Sequence, residues 1–167
     1  PKELTIWTDT DYAGCKKTRK STSGGVVMWG DHTIKSWRKT QSVIALSSGA
    51  AEYYGMVRGA AEGLGIQSVL RDFEINVMLT LKSDASAAIA IASRRGLGKV
   101  RHIEVCQLWL QEKVRSGEVK VIKVGTDENV ADSLTKYVSS EILRKHMSAT
   151  GQTAREGRHR LAPAAEC

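Results

Sequence analysis

The chain has 167 residues, 41% of them hydrophobic, and a formal net charge of +7. That length suits one domain with a core of its own, and no apolar run approaches the roughly eighteen residues of a membrane-spanning helix. Cys15, Cys106 and Cys167 are odd in number and lack metal-ligand spacing, which points to a reducing intracellular compartment, while the excess of cations fits a polyanionic partner such as nucleic acid. The chain starts at Pro1 without an initiator methionine or signal peptide, and is expected to be a piece of something longer.

Glu3 to Asp9 alternates Leu4 and Ile6 with Thr5 and Trp7, the period of a strand with two different faces, and it runs into Asp9 and Asp11. A basic connection follows, with Lys16, Lys17, Arg19 and Lys20. Gly24–Trp29 reads as a second strand and His32–Arg38 as a third. Gly30-Asp31 between them suits a tight hairpin, because glycine tolerates positive φ at the first central position.

The apolar lead-in Val43–Leu46 precedes Ser47 or Ser48 as helix N-cap. The long helix from about Gly49 to Phe73 places Tyr53, Val57, Ala60 and Leu64 at helical spacing. It also contains Gly55, Gly59, Gly63 and Gly65, each costing about 1 kcal/mol against alanine. Two readings stand: the glycines permit close packing on a sheet, or they make the helix marginal.

Val77–Ser83 is a fourth strand ending in Asp84, and Ala85–Ser93 is a small-residue helix stopped by Arg94-Arg95-Gly96. Val100–Ser116 reads as the clearest helix, with Gly117 as its stop signal. Glu118–Val124 alternates as a fifth strand, and Thr126–Asn129 opens a last helix running to about Met147. Residues 148–167 lose periodicity and read as a flexible tail, leaving 1–147 as the domain. Strands and helices in this order imply an α/β fold: a mixed sheet, its first three strands antiparallel, flanked by helices.

Asp9 and Asp84 end strands, Glu52 lies in the first turn of the long helix, and Asp132 stands near the start of the last one. If the sheet brings the two strand ends side by side, four carboxylates converge. Such a cluster is costly unless neutralised, and hard divalent cations bound through oxygen, Mg²⁺ or Mn²⁺, would neutralise it. Two such ions can clamp the attacking and leaving oxygens of a phosphodiester displacement. The alternative is that Glu52 and Asp132 are only helix-terminal acids complementing the helix dipole.

The stretches TDTDYAGCKKTRKSTSGG, IKSWRKTQSVIALSSGAAEYYG, SDASAAIAIA, VRHIE, EKVRSGEVKV and NVADSLTK, in this order, resemble the ribonuclease H domain of copia-type retrotransposon polyproteins over about residues 4–140. The resemblance implies a ribonuclease H-like fold with a five-stranded mixed sheet. It also implies metal-dependent hydrolysis of the RNA strand of an RNA–DNA hybrid, a role beside a reverse transcriptase domain of the same polyprotein, and a cytoplasmic particle as the setting. Asp9, Glu52, Asp84 and Asp132 match the family carboxylates that hold two Mg²⁺ or Mn²⁺ ions, Asp9 bridging both. Asp11 is expected to stabilise the turn rather than bind metal.

The sequence departs from the family at Gly49-Ala50, where Thr-Glu is usual, and at Ala85-Ser86, where Asn-Gln is usual. A large aromatic is common where Gly65 sits. The first two changes touch substrate grip and turnover more than metal binding. They keep open a second reading, a weakened or inactive domain that binds nucleic acid or serves as a structural subunit. A DNA nuclease or integrase-like enzyme is a third, which the Asp-Glu-Asp-Asp order disfavours.

Substrate-contact candidates are Arg19, Lys20, Lys35, Arg38, Lys39, Ser48, Ser86 and His102. The cations would track phosphates or form a solvated basic face. Trp37 is expected in the core, His102 and Glu104 in a structural hydrogen bond under the site, and Cys106 as a buried small hydrophobe.

Overall fold

The computed structural model describes residues 1–98 and 101–153. The expected helix start at Val100, Cys167 and the tail from residue 154 lie outside the described residues. One five-stranded sheet is built from β1 (Glu3–Asp11), β2 (Thr22–Trp29), β3 (His32–Thr40), β4 (Met78–Ser83) and β5 (Val119–Lys123), in the order β3-β2-β1-β4-β5. β1, β2 and β3 are antiparallel neighbours, whereas β4 and β5 run parallel to β1. The hairpin between β2 and β3 turns at Gly30 with φ +59, the conformation glycine adopts without a Cβ penalty.

Leu4, Ile6, Leu79 and Leu81 are buried on the sheet face covered by α1 (Ser48–Asp72). Ser47 caps this helix by accepting from the Ala50 amide at 3.1 Å. The question of its glycines resolves towards close packing. A Cβ on Gly55 would meet Thr10 Oγ1 at 2.5 Å, on Gly59 Thr8 Cγ2 at 2.5 Å, and on Gly63 Ile6 Cδ1 at 2.7 Å. Spaced four apart, the three glycines face β1 along one stripe, while Gly65 faces open space. On the opposite face of the sheet, Trp7, Val26, Met28, Val130 and Leu134 form a smaller core.

Two expected helices are broken by tertiary pulls. Val100–Ser116 is helical only as α3 (Trp109–Arg115), preceded by a 3-10 turn at Val105–Leu108. There Ile103 is drawn into the core and the Tyr53 hydroxyl donates to the Gln107 carbonyl at 2.8 Å, contacts that a continuous helix would not present together. Residues 126–147 become a 3-10 turn, the short α4 (Asp132–Thr135) and α5 (Ser140–Ala149). Asn129 leaves helical geometry to bond the backbone of β1, and Lys136 is extended before Ser139 caps α5. Ser148 and Ala149, placed in the tail by sequence, are helical, and the Thr33 hydroxyl donates to the Thr150 carbonyl at 2.8 Å. α2 (Ser86–Ser93) forms as expected, one residue later.

Candidate active site

Parallel pairing sets the site. Trp7 pairs with Lys82 across β1 and β4, so Asp9 and Asp84, each two residues further on, emerge beside one another at the same end of the sheet. Asp9 is 1% exposed, and its Oδ2 accepts from the Thr135 hydroxyl of α4. Gly24, opposite Asp9 on β2, lets α4 approach: a Cβ there would stand 2.8 Å from Thr135 Cγ2 and 2.9 Å from Leu134 Cβ. Asp132, first residue of α4, is also buried. Carboxylate oxygens of Asp9, Asp84 and Asp132 lie within 4.8 Å of one another.

Residues that sequence reading passed over hold this cluster together. Asn129 is fully buried; its side-chain amide donates to the Thr8 carbonyl at 3.0 Å and to Asp84 Oδ1 at 3.4 Å, and its Oδ1 accepts from the Ala131 amide. Lys136 sets its ammonium 3.3 Å from Asp9 Oδ1 and 3.1 Å from Asp132 Oδ2. The signal was present in NVADSLTK, since Asp132 and Lys136 are four apart, the spacing of helical ion pairs.

Glu52 lies in the second turn of α1, not the first, and stands beside the three aspartates rather than within their cluster. Among the described residues its Oε2 is buried without a hydrogen-bond partner, as is Asp132 Oδ1, and Asp9 Oδ1 has only the Lys136 ion pair. Burial, then the charges of Asp9 and Asp84, push the Glu52 carboxyl up to about 8. Burial and Asp9 push Asp132 up to about 7. For Lys136, burial works to lower the pKa, but Asp9 and Asp132 outweigh it and raise it. Acidic oxygens in excess of their partners, with no nitrogen or sulfur among them, are a donor set that suits a hard divalent cation.

The other candidates scatter. Lys35 is tied to Glu62 of α1 at 2.6 Å, and Arg58 joins the same carboxylate at 3.0 Å. Lys39 lines a cavity of about 240 Å³ with Gln41, Tyr54 and Arg58. Arg38 lines another, of about 250 Å³, beside Lys136. Arg19 and Lys20 lie in the β1–β2 loop, Arg19 at φ +58. Ser48 and Ser86 are exposed first residues of α1 and α2. Gly49 packs against α2, a Cβ there meeting Ala87 Cβ at 3.0 Å.

His102 and Glu104 are exposed, and His102 makes no hydrogen bond among the described residues, so the expected structural bond under the site is not formed. Their segment leaves the helix that would have turned them inward. Cys106 is exposed rather than buried for the same reason. Trp37 packs partly buried against the main core. The Asp11 carboxylate folds over Gly14, where a Cβ would collide with its Oδ2, and it stays out of the acidic cluster.

This sheet order, with buried acids where β1 and β4 end together, is the architecture of ribonuclease H domains. The N-terminal RNase H domain of a Mycobacterium tuberculosis protein superposes with a TM-score of 0.57 at 18% identity, covering 90% of this chain and 97% of that one. RNase H1 isolated from compost by a metagenomic approach gives 0.55 at 15% identity, over 88% and 99%. The same RNase H1 in complex with an RNA/DNA hybrid gives 0.51 at 13%, over 79% and 93%. No family model matches the chain.

By sequence, the homologues of this ribonuclease H-like domain are the retrovirus-related Pol polyproteins of plant transposons, of copia type. The polyprotein of transposon TNT 1-94 from Nicotiana tabacum is 31% identical over 134 residues, 79% of this chain and 10% of that protein. That of transposon RE1 from Arabidopsis thaliana is 30% identical over 155 residues, 90% and 10%. The chain thus spans about a tenth of the length of these relatives.

Proposed function

We propose that the chain is a metal-dependent ribonuclease that hydrolyses the RNA strand of RNA–DNA hybrids, acting beside the reverse transcriptase of a polyprotein in the cytoplasm. The observation that carries the reading is the convergence of Asp9, Asp84 and Asp132 within 4.8 Å, with Asp132 Oδ1 and the neighbouring Glu52 Oε2 buried and without a hydrogen-bond partner among the described residues. The hybrid bound by the compost enzyme and the Pol polyprotein relatives support the substrate class and the setting.

Asp9, Asp84 and Asp132, with Glu52 at their flank, would hold two Mg²⁺ or Mn²⁺ ions. Such ions neutralise charge developing on a phosphodiester and make water more acidic. The protein's part is orientation. Thr135 fixes Asp9, Asn129 fixes Asp84 against the backbone of β1, and burial keeps Asp9 and Asp132 from turning out to solvent. Lys136 offsets part of the negative charge.

The test is cleavage of a labelled RNA–DNA hybrid by wild type and Asp9→Asn, in Mg²⁺, in Mn²⁺ and in EDTA. Wild-type cleavage that needs metal and is lost in Asp9→Asn is expected. Cleavage in EDTA, or undiminished cleavage by Asp9→Asn, overturns the reading.

A second reading is a weakened domain that binds nucleic acid without efficient turnover. It is favoured by the Lys136 ammonium, which already bridges Asp9 and Asp132, and by the missing side chain at Gly49, where a Cβ would press on Ala87 Cβ at 3.0 Å. Hybrid binding with no cleavage in Mn²⁺ would select it.

A further inference from the structure

Beside the acidic cluster, between the β3 edge and the end of α4, lies the cavity of about 250 Å³ lined by Arg38, Ser133, Leu134, Thr135, Lys136 and Tyr137. Its inner wall belongs to the site, because Thr135 and Lys136 both touch Asp9. Its outer wall is Arg38. Asp9 pairs with Gly24 and Gly24 with Arg38, so Asp9 and Arg38 rise from the same face of the sheet, two strand spacings or roughly 10 Å apart. Gly24 keeps the row between them low and lets Thr135 and Leu134 form the floor.

Two features set this groove apart from an ordinary solvated face. Arg38 is exposed and has no carboxylate at ion-pair distance among the described residues, whereas Lys35 on the same strand is neutralised by Glu62. Tyr137 is fully exposed and makes no hydrogen bond among the described residues. A free guanidinium and an uncovered aromatic ring therefore border a groove whose inner wall, Thr135 and Lys136, touches Asp9 of the acidic cluster.

We propose that this groove seats the backbone of the cut strand next to the scissile bond, Arg38 pairing with a neighbouring phosphate and Tyr137 lying flat against the adjoining sugar or base. The guanidinium fork matches phosphate oxygens in a bidentate manner, and a ring face accepts any nucleotide without reading its sequence. Lys136 is engaged by Asp9 and Asp132, which leaves Arg38 as the phosphate partner. The occupant is the RNA strand, because the strand whose phosphate lies over the carboxylates is the one that continues into the groove. The inference rests on the hybrid-cleaving reading above.

The experiment compares wild type with Arg38→Ala, Tyr137→Ala and Tyr137→Phe; both positions are exposed, so the fold is preserved, and Lys35→Ala serves as a same-strand control. Arg38→Ala is expected to raise KM on the order of ten-fold, as loss of one charged hydrogen bond should, with kcat kept. It should also lower the slope of log KM against log salt by about one, the mark of one lost phosphate contact. Tyr137→Ala should raise KM and Tyr137→Phe should restore it, while Lys35→Ala changes neither. Wild-type KM and slope in Arg38→Ala overturn the groove, as does a fall in kcat at constant KM. If the wild type cleaves no hybrid, the functional reading fails by itself. The groove is then judged by anisotropy of a labelled hybrid across salt concentrations: a reduced slope in Arg38→Ala upholds it, and equal slopes overturn it.

Discussion

The Lys136 ammonium stands 3.3 Å from Oδ1 of Asp9, joining the extended residue after α4 to the buried end of β1. Because the same ammonium lies 3.1 Å from Asp132, a single cation serves two carboxylates. Lys136→Met is therefore expected to lower stability in EDTA by about 1 kcal/mol, between the values of exposed and buried pairs because the lysine is partly open to water. In Mn²⁺ the loss should shrink, since the ion replaces the missing charge. Denaturation midpoints in the two conditions check this; an equal loss in both would refute a counter-charge role.

Protonation gives a second expectation. Glu52, pushed to about 8, and Asp132, pushed to about 7, bind protons in the folded state that an unfolded chain has already released. Their favourable contribution is complete below their ordinary range near 4 and is lost as pH rises through the folded values, so metal-free stability falls between about pH 4 and pH 8. Thermal melts in EDTA should show this decline, Glu52→Gln should flatten it, and Mg²⁺ should reduce it. A metal-free melting temperature that rises across that window would contradict the assignment.

The helix glycines give a paired test with opposite signs. Gly59→Ala gains helix propensity but drives a Cβ to 2.5 Å from Thr8 Cγ2, so a net loss of about 1–3 kcal/mol is expected. Gly65→Ala enters open space and should stabilise by up to about 1 kcal/mol. Chemical denaturation of both variants decides the matter, and equal effects would mean that α1 does not press on β1.

Asn129→Ala should uncouple β1 from Asp84. It strips the Thr8 carbonyl and Asp84 of a buried donor, for a loss of about 1–3 kcal/mol. Cleavage should weaken beyond what reduced folding explains. The comparison is activity per folded molecule well below the melting temperature, and unchanged specific activity would make Asn129 purely structural.

The strands were legible because β1 alternates Leu4 and Ile6 with Thr5 and Trp7, and the sheet does bury one set against α1. Asp9 and Asp84 could be placed because each lies near the end of a strand whose alternation is clear, whereas Asp132 was placed through the resemblance carried by NVADSLTK. Sequence periodicity failed where a distant contact set the backbone. Asn129 reaches the Thr8 carbonyl, and Tyr53 reaches the Gln107 carbonyl, across stretches of chain that no local pattern relates. The exposure of His102 and Cys106 follows from the second of these departures. Lys136 was concealed differently: its spacing to Asp132 was visible, but its second partner, Asp9, lies on a distant strand.

The glycine stripe of α1 has a consequence at the acidic end of the molecule. Gly55 sits on Thr10 one turn beyond Glu52, and Thr10 directly follows Asp9. The missing side chains at Gly55, Gly59 and Gly63 therefore act as a spacer of zero thickness between α1 and β1. A methyl group added anywhere along that seam would lift the helix as a lever and widen the gap between Glu52 and Asp9. The spacing of the carboxylates at the sheet's end is thus tuned by atoms absent from the middle of the protein.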